Sequence, residues 1–203
     1  MRLIHALWIT FLVSLLPNFA SAQSFSCVSG GAYCGTAESY LSWSYSGGSL
    51  NISNNAVTGN NSFIGGVYFD YGAGMGVTLA GSTGTVSFTQ GGAPSNLPSG
   101  SGVSPTFTAD TYWTSLPPPS NNGVNAGESI TFNLTGVTAT DFTNGSMRVG
   151  VHLQGLPIGA DGFTSSESLV TAVPEPETYA MLLAGLGLMG VTVRRRRQSA
   201  MRD

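Results

Sequence analysis

Short runs of apolar and aromatic residues alternate with polar and glycine-rich breaks through the middle of the chain. In one of them, Ile130, Phe132 and Leu134 alternate with polar residues and so share one face of an extended strand. Such runs recur at roughly ten-residue spacing, and none of them has a helical period. The predicted strands are Ser39–Tyr45, Leu50–Ser53, Val67–Tyr71, Gly76–Ala80, Thr85–Gln90, Pro105–Ser115, Ser129–Val137, Met147–Leu153 and Ser168–Ala172.

These segments favour two packed antiparallel sheets. Many short strands bounded by Gly, Asn, Pro and Ser are typical of sandwiches and jelly rolls, and about 150 residues can bury a core of that kind. We therefore predict an all-β fold with a single antiparallel β-sandwich of jelly-roll character. Its aromatic residues are expected in the core, and the Gly-, Pro- and Ser-rich stretches 91–104 and 116–127 are expected to be surface loops.

An apolar segment also stands at the amino terminus. Arg2 precedes an uncharged run, and Ala20 and Ala22 form a small-x-small cleavage site, so residues 1–22 are predicted to be a signal peptide. Gln23 is then the first mature residue, and Sec-type export machinery is an expected partner. A retained membrane anchor is the alternative interpretation of the same run.

The charge of the predicted secreted domain, residues 23–171, restricts its partners. The chain has no Lys, only 8% of its 203 residues are charged, and five of its seven arginines lie in the last ten positions. Within the domain, seven acidic residues face the single arginine Arg148, which leaves a net charge of −6. Nucleic acid is therefore excluded as a partner, because phosphate binding depends on clustered positive charge.

Two cysteines, Cys27 and Cys34, follow the predicted cleavage site closely. An exported chain meets an oxidising compartment, so we predict that they form a small disulfide loop. Two free thiols are the alternative. A metal site would need more ligands than two cysteines, and no histidine lies near them in the sequence.

The last thirty residues, in the segment 172–203, contain three consecutive signals. A Pro-Glu-Pro sequence at 173–177 is followed by the uncharged run 178–193, which at sixteen residues is shorter than the roughly twenty that span a bilayer core. Snorkelling arginines and local thinning make a transmembrane helix of this length feasible. The signals are Val173, Pro174, Glu175 and Pro176, then the apolar run, then a basic stop at Arg194, Arg195, Arg196 and Arg197. The positive-inside rule places the arginines in the cytoplasm and the domain outside it.

This tail resembles the PEP-CTERM sorting signal of Gram-negative bacteria that make exopolysaccharide. The resemblance implies that an exosortase, a membrane-embedded cysteine transpeptidase, recognises Pro174-Glu175-Pro176 and removes the hydrophobic helix. The precursor would be anchored in the inner membrane, and the mature form would reside at the cell surface or in the extracellular matrix. The same tail is sometimes named an ice-binding protein carboxyl-terminal domain, but that name describes the tail and does not predict ice binding.

The domain itself has little recognisable catalytic chemistry. His152 is its only histidine, and no Gly-x-Ser-x-Gly elbow accompanies it, so we predict no catalytic residues and no enzyme. Asp161, Ser165, Ser166 and Glu167 offer oxygen ligands for Ca²⁺ in a Gly-flanked loop, but their spacing does not match a calcium-binding motif. A polar turn, with no metal and no cofactor, is the expectation there.

Carbohydrate binding is the positive alternative for the domain. Sugars stack on aromatic faces and exchange hydrogen bonds with polar side chains, and Asp110, Tyr112 and Trp113 offer such a set. The leading hypothesis is a non-enzymatic surface or matrix protein processed by an exosortase. The alternatives are a carbohydrate-binding module of the exopolysaccharide matrix and, third, a secreted hydrolase.

Overall fold

The computed structural model describes residues 23–158, 164–172, 185–187 and 189. Among these residues, no helix is long and apolar enough to cross a membrane. The expected signal peptide and the expected transmembrane segment lie outside the described residues, apart from residues 185–187 and 189, which are helical. The domain boundaries stay predictions.

Eleven strands and three short α-helices lie within the described residues between 23 and 172. In chain order they are β1 (Phe25–Cys27), α1 (Cys34–Tyr40), β2 (Leu41–Ser46), β3 (Ser49–Asn54), β4 (Phe63–Tyr71), β5 (Gly76–Ser82), β6 (Phe88–Gln90), β7 (Thr111–Ser115), α2 (Pro119–Asn122), β8 (Val124–Asn125), β9 (Ser129–Thr135), α3 (Ala139–Asn144), β10 (Met147–Ile158) and β11 (Thr164–Thr171), with a single 3₁₀ turn at Gly100–Gly102.

The strands form two antiparallel sheets, and the described chain is mostly β, as predicted. The larger sheet has the order β1-β11-β10-β4-β7-β6, with β8 also paired to β4, and the smaller has the order β2-β3-β9-β5. Side chains from both sheets share one hydrophobic core. Phe132 of the smaller sheet, for example, packs on Phe69 and Trp113 of the larger, with ring centroids 4.9 and 5.2 Å apart. The jelly-roll character stays a prediction.

Three short helices lie between the strands, although no segment of the sequence has a helical period. The predicted strand Ser39–Tyr45 begins inside α1, and only residues from Leu41 onward are extended. These helices are four to seven residues long, which is too short to show a helical period in the sequence.

α3 begins after Thr138, whose backbone N–H donates to the Asp141 carboxylate at 2.7 Å. Hydrogen bonds from the Thr138 side chain and backbone lower the pKa of Asp141.

Residues 91–110, here called the strap, cover the outer face of the larger sheet. The first part of this segment was predicted to be a surface loop and the end to belong to a strand, but the extended structure begins only at Thr111. Leu97 and Phe107 of the strap are 3% and 0% exposed. They lie directly over Gly150, where an added Cβ would come within 2.8 Å of Leu97 and 3.0 Å of Phe107. The missing side chain of Gly150 therefore makes room for the strap.

Candidate functional site

Most residues of the predicted sorting and cleavage sites lie outside the described residues. This holds for the sorting motif at 173–176, for the arginines at 194–197, and for Ala20 and Ala22. Gln23 is described, and it exchanges two backbone hydrogen bonds with Trp43 of β2, with N to O distances of 2.9 and 3.1 Å. The residue predicted to begin the mature protein is therefore already part of the folded domain.

The predicted disulfide is present. Cys27 at the end of β1 and Cys34 at the start of α1 are bonded, with an S–S distance of 2.00 Å. The bond closes a loop of a few residues, which in the chain-entropy model corresponds to a stabilisation on the order of 2 to 3 kcal/mol.

A buried carboxylate occupies the centre of this disulfide loop. Glu167 is 1% exposed, and its carboxylate accepts hydrogen bonds from the Ser29 hydroxyl and from the Tyr33 N–H at 3.1 Å. The sulfur atoms of Cys27 and Cys34 lie 3.8 and 3.7 Å from its Oε2. Cys27, Cys34 and Glu167 are residue types that can bind a metal ion, but both sulfur atoms are bonded to each other in the disulfide and offer no thiolate.

The predicted polar turn at 161–167 is in part a strand. Ser165, Ser166 and Glu167 belong to β11, while Asp161 lies outside the described residues. Among the described residues of this set, Glu167 points into the disulfide loop, where its carboxylate binds Ser29 and Tyr33.

The structure does not bring the three predicted ligand contacts together. Trp113 is 4% exposed, and its ring packs in the core, 5.2 Å from the centroid of Phe132. Asp110 accepts a hydrogen bond from the Tyr71 N–H at 2.8 Å. Tyr112 is next to Trp113 in a strand and so faces the opposite side of the sheet. The ring of Trp113 is therefore unavailable for stacking on a surface ligand in this structure.

His152 lies on β10, opposite Ser168 of β11 and Gly66 of β4, and is partly buried. Burial lowers the pKa of His152 below its ordinary value of 6.5, because desolvation disfavours the charged imidazolium. It is therefore a neutral side chain of the sheet surface at neutral pH.

The shifted pKa of His152 predicts a loss of stability in mild acid. As the pH falls from about 6.5 toward the lower folded-state pKa, the unfolded chain takes up a proton that the folded chain does not, so the free energy of unfolding decreases. Urea unfolding of the wild type and of His152→Gln at pH 7.5, 6 and 5 should show a smaller decrease for the variant. A difference between the two proteins that is the same at all three pH values would contradict the prediction. His5 is common to both proteins and cancels in the comparison.

An open cleft of about 730 Å³ lies where β4, β8, β10, β11 and α2 meet. Strand pairing brings three residues together in the middle of the cleft lining. Phe63 of β4 pairs with Gln154 of β10 on one side and with Asn125 of β8 on the other. Residues directly opposite in antiparallel strands present their side chains on the same face. The phenyl ring of Phe63 is therefore flanked by two carboxamides.

A bulge in β4 turns Phe63 toward the cleft. The register with β10 shifts at Gly65, which is left without a partner. Such an extra residue changes the phase of the alternation along a strand. Ile64 and Val67 consequently both face the core and are fully buried, although they are three positions apart, and Phe63 lies on the opposite side from Ile64.

Two glycines fit closely around the Phe63 ring. An added Cβ at Gly123 would come within 2.8 Å of the ring, and one at Gly155 within 3.3 Å. Gly155 also has a φ of +68°, in the left-handed region, and its position opposite the Asn61 carbonyl leaves no space for a side chain. The ring is therefore held in a fixed niche.

The walls of the cleft are made of amides and hydroxyls. They are contributed by the loop before β4, by α2 and by β11, through Asn60, Asn61, Ser120, Asn121, Ser165 and Ser166. Buried Asn54 joins the loop before β4 to β8, since its side-chain amide donates to the Ser62 carbonyl at 3.0 Å and to the Val124 carbonyl at 3.1 Å. The amide of Asn60 is itself oriented by the Tyr40 hydroxyl at 3.1 Å.

None of the described residues that line the cleft is charged. The carboxylate of Glu128 lies just behind it and accepts hydrogen bonds from the backbone N–H groups of Asn125 and Thr85, both at 2.9 Å. Burial would raise the pKa of Glu128, but these hydrogen bonds and those from the side chains of the same residues outweigh it and lower the pKa. Its negative charge is thus engaged by the protein and holds Asn125 in place.

Sequence reasoning missed this cleft. The predicted strand Val67–Tyr71 begins after the Gly65-Gly66 pair, whereas the strand in the structure begins at Phe63. The segment 116–127 was treated as a surface loop, although it includes α2 and β8. The available signal was the Phe63-Ile64 pair before the glycines and the density of asparagines near 60 and 121.

Comparison with known proteins identifies the tail. Residues 172–197 match the family model of the PEP-CTERM protein-sorting motif. No curated protein and no solved structure matches the chain. The match therefore concerns the last part of the chain, and the β domain has to be interpreted from its own structure.

Proposed function

We propose that this chain, which is an exosortase-targeted exported protein by its PEP-CTERM motif at residues 172–197, is a non-enzymatic component of the cell surface or the extracellular matrix. The motif carries the proposal, because it implies an exported, membrane-anchored precursor. An exosortase would then cleave the precursor at its Pro-Glu-Pro sequence and free the domain from its hydrophobic tail.

Two features of the domain support an extracellular role. The Cys27–Cys34 disulfide is a bond of oxidising compartments. The domain has a net charge of −6 and exposes mainly Ser, Thr, Asn and Gly on its polar surfaces. Such a surface suits a hydrated matrix, because it has few cations to bind nucleic acid or anionic lipid headgroups.

Processing by an exosortase is tested by comparing a host that encodes the enzyme with the same host lacking that gene. With the enzyme, we expect a shortened chain in the surface or culture fraction. Without it, we expect the full-length chain in the inner membrane. Equal amounts of shortened chain in both hosts would contradict exosortase processing, and a chain that stays in the cytoplasm would contradict export.

Carbohydrate binding in the matrix is the second candidate function, and the cleft around Phe63 favours it. A partly exposed aromatic ring between carboxamides, surrounded by further amides and hydroxyls, is a set of groups that recognises sugars. This site differs from the Asp110, Tyr112 and Trp113 set that the sequence suggested. A secreted hydrolase is the weaker alternative, since the part of the cleft lining that the structure describes has no carboxylate to act as acid or base.

A further inference from the structure

We infer that the cleft around Phe63 binds a segment of an uncharged polysaccharide. The inference rests on the second candidate function and adds its location and the class of ligand. The volume of about 730 Å³ is within the range of ligand sites in proteins and leaves room for more than a single small group.

The residues in the middle of the cleft lining match the two surfaces of a sugar ring, its apolar faces and its polar rim. The C–H groups of one sugar face can pack on the phenyl ring of Phe63. The hydroxyls around the sugar rim then meet the carboxamide of Gln154 on one side of the ring and the carboxamide oxygen of Asn125 on the other. The amide nitrogen of Asn125 already donates to the Gly123 carbonyl at 3.1 Å and to the Glu128 carboxylate at 3.2 Å, so Asn125 offers an acceptor, whereas a carboxamide such as that of Gln154 both donates and accepts, as a hydroxyl does.

The charge distribution selects an uncharged ligand. An anionic polysaccharide would meet no arginine or lysine among the described residues of the cleft lining and would be repelled by the net charge of −6 of the domain. A cationic ligand would find no free carboxylate among those same residues, and Glu128 behind them is already engaged by backbone N–H groups. Buried polar groups of a ligand would instead be satisfied by neutral amides and hydroxyls.

The cleft is also held in shape before a ligand arrives. Gly123 and Gly155 fix the place of the Phe63 ring, and buried Asn54 joins the loop wall to β8. On the β11 side, Ser166 directly precedes Glu167, which the disulfide loop anchors. A preorganised site loses less conformational freedom on binding, which favours affinity for a weakly interacting neutral ligand.

Affinity gel electrophoresis of the full chain in a polyoxyethylene detergent tests the inference. This detergent has no sugar headgroup to compete for the site. The gels contain dextran, galactomannan or hydroxyethyl cellulose as neutral probes and alginate as an anionic probe. We expect at least one neutral polymer to retard the wild type and alginate not to retard it.

Two cleft variants locate the site. Asn121→Ala with Ser166→Ala removes two exposed polar groups from the walls and should weaken binding on the order of 10-fold or more, since each lost hydrogen bond costs about fivefold. Phe63→Leu keeps apolar bulk in the niche but removes the aromatic face, and should weaken binding about fivefold. The matched control, Asn133→Ala with Ser46→Ala, changes two exposed residues of the smaller sheet and should bind like the wild type.

Thermal unfolding of each variant separates loss of binding from loss of fold. The inference is supported by weaker binding of the cleft variants at an unchanged midpoint of unfolding. It is overturned if both cleft variants bind a neutral polymer as the wild type does, which would place the binding surface elsewhere. It is also overturned if the wild type binds none of the neutral polymers, or binds alginate more tightly. None of these outcomes affects exosortase processing, which the host comparison tests separately.

Discussion

Replacing Pro174 and Glu175 with Ala is expected to leave nearly all of the chain as an uncleaved, membrane-bound precursor. Both residues lie in the segment that matches the PEP-CTERM sorting motif. Prolines hold the backbone extended and remove N–H donors, which presents the segment for binding in a groove, and the glutamate adds a charged contact. Without these features, the exosortase loses the sequence that it recognises, and the hydrophobic tail stays attached.

Immunoblotting of membrane, surface and culture fractions measures this effect. The matched control is Thr178→Ala, a substitution a few residues further along the same tail that leaves Pro-Glu-Pro intact. We expect the control to be processed as the wild type is. Unchanged surface release of the Pro174→Ala, Glu175→Ala variant would show that the motif does not direct sorting in this chain.

Replacing Arg148 with Met is expected to destabilise the domain by about 3 kcal/mol, a large part of the 5 to 15 kcal/mol that typically separates folded and unfolded states. Arg148 is 7% exposed and pairs with the Asp70 carboxylate across neighbouring strands. Its guanidinium also donates to the carbonyls of Pro105 and Thr106, at 2.5 and 2.7 Å, and lies 5.4 Å from the Phe107 ring centroid. The guanidinium of Arg148 thus links the strap to the larger sheet.

The expected cost comes mainly from the groups that Arg148 would leave behind. Asp70 would keep only the Thr108 N–H, at 3.0 Å, for its Oδ2, and the two strap carbonyls would lose their donor. The Asp70 side chain is 20% exposed, so water can hydrate part of its carboxylate after the pair is broken. The expected loss of stability is therefore at the lower end of the range for a broken buried ion pair.

Urea unfolding and amide hydrogen exchange measure the consequence. Exchange should accelerate in residues 91–110 more than in β9, because the strap loses its attachment while the smaller sheet is untouched. The double variant Arg148→Met, Asp70→Leu should recover part of the lost stability, since it leaves no unpaired charge. A single variant that costs less than about 1 kcal/mol, or a double variant less stable than the single, would contradict this role of Arg148.

Alternation correctly predicted that Ile130, Phe132 and Leu134 share one face of a strand, and all three side chains are buried in the core. Period-2 patterns arise because one face of each strand meets the core, so the sequence carries this information locally. It failed at Gly65, where a bulge changes the phase of β4, because a bulge depends on the register of the partner strand.

Candidate ligand residues were harder to place from sequence. Trp113 is expected in the core with the other aromatic residues and is also a possible ligand contact, and the pairing of β7 with β4 and β6 places its ring in the core. Phe63 was not singled out, and the residues that meet it across the strands, Gln154 and Asn125, are far away in the chain. Only long-range pairing brings these side chains onto one face.

The sequence by itself determined that this chain carries a protein-sorting motif and that its domain is mostly β. The sorting motif at 172–197 is a contiguous segment that a partner reads without reference to the fold, and strand periodicity is a property of near neighbours. The tertiary structure alone decided that Glu167 lies within the disulfide loop, that Arg148 fastens the strap, and that Phe63 stands between two carboxamides. Each of these depends on strand register and on burial, which are set by contacts between residues remote in the chain.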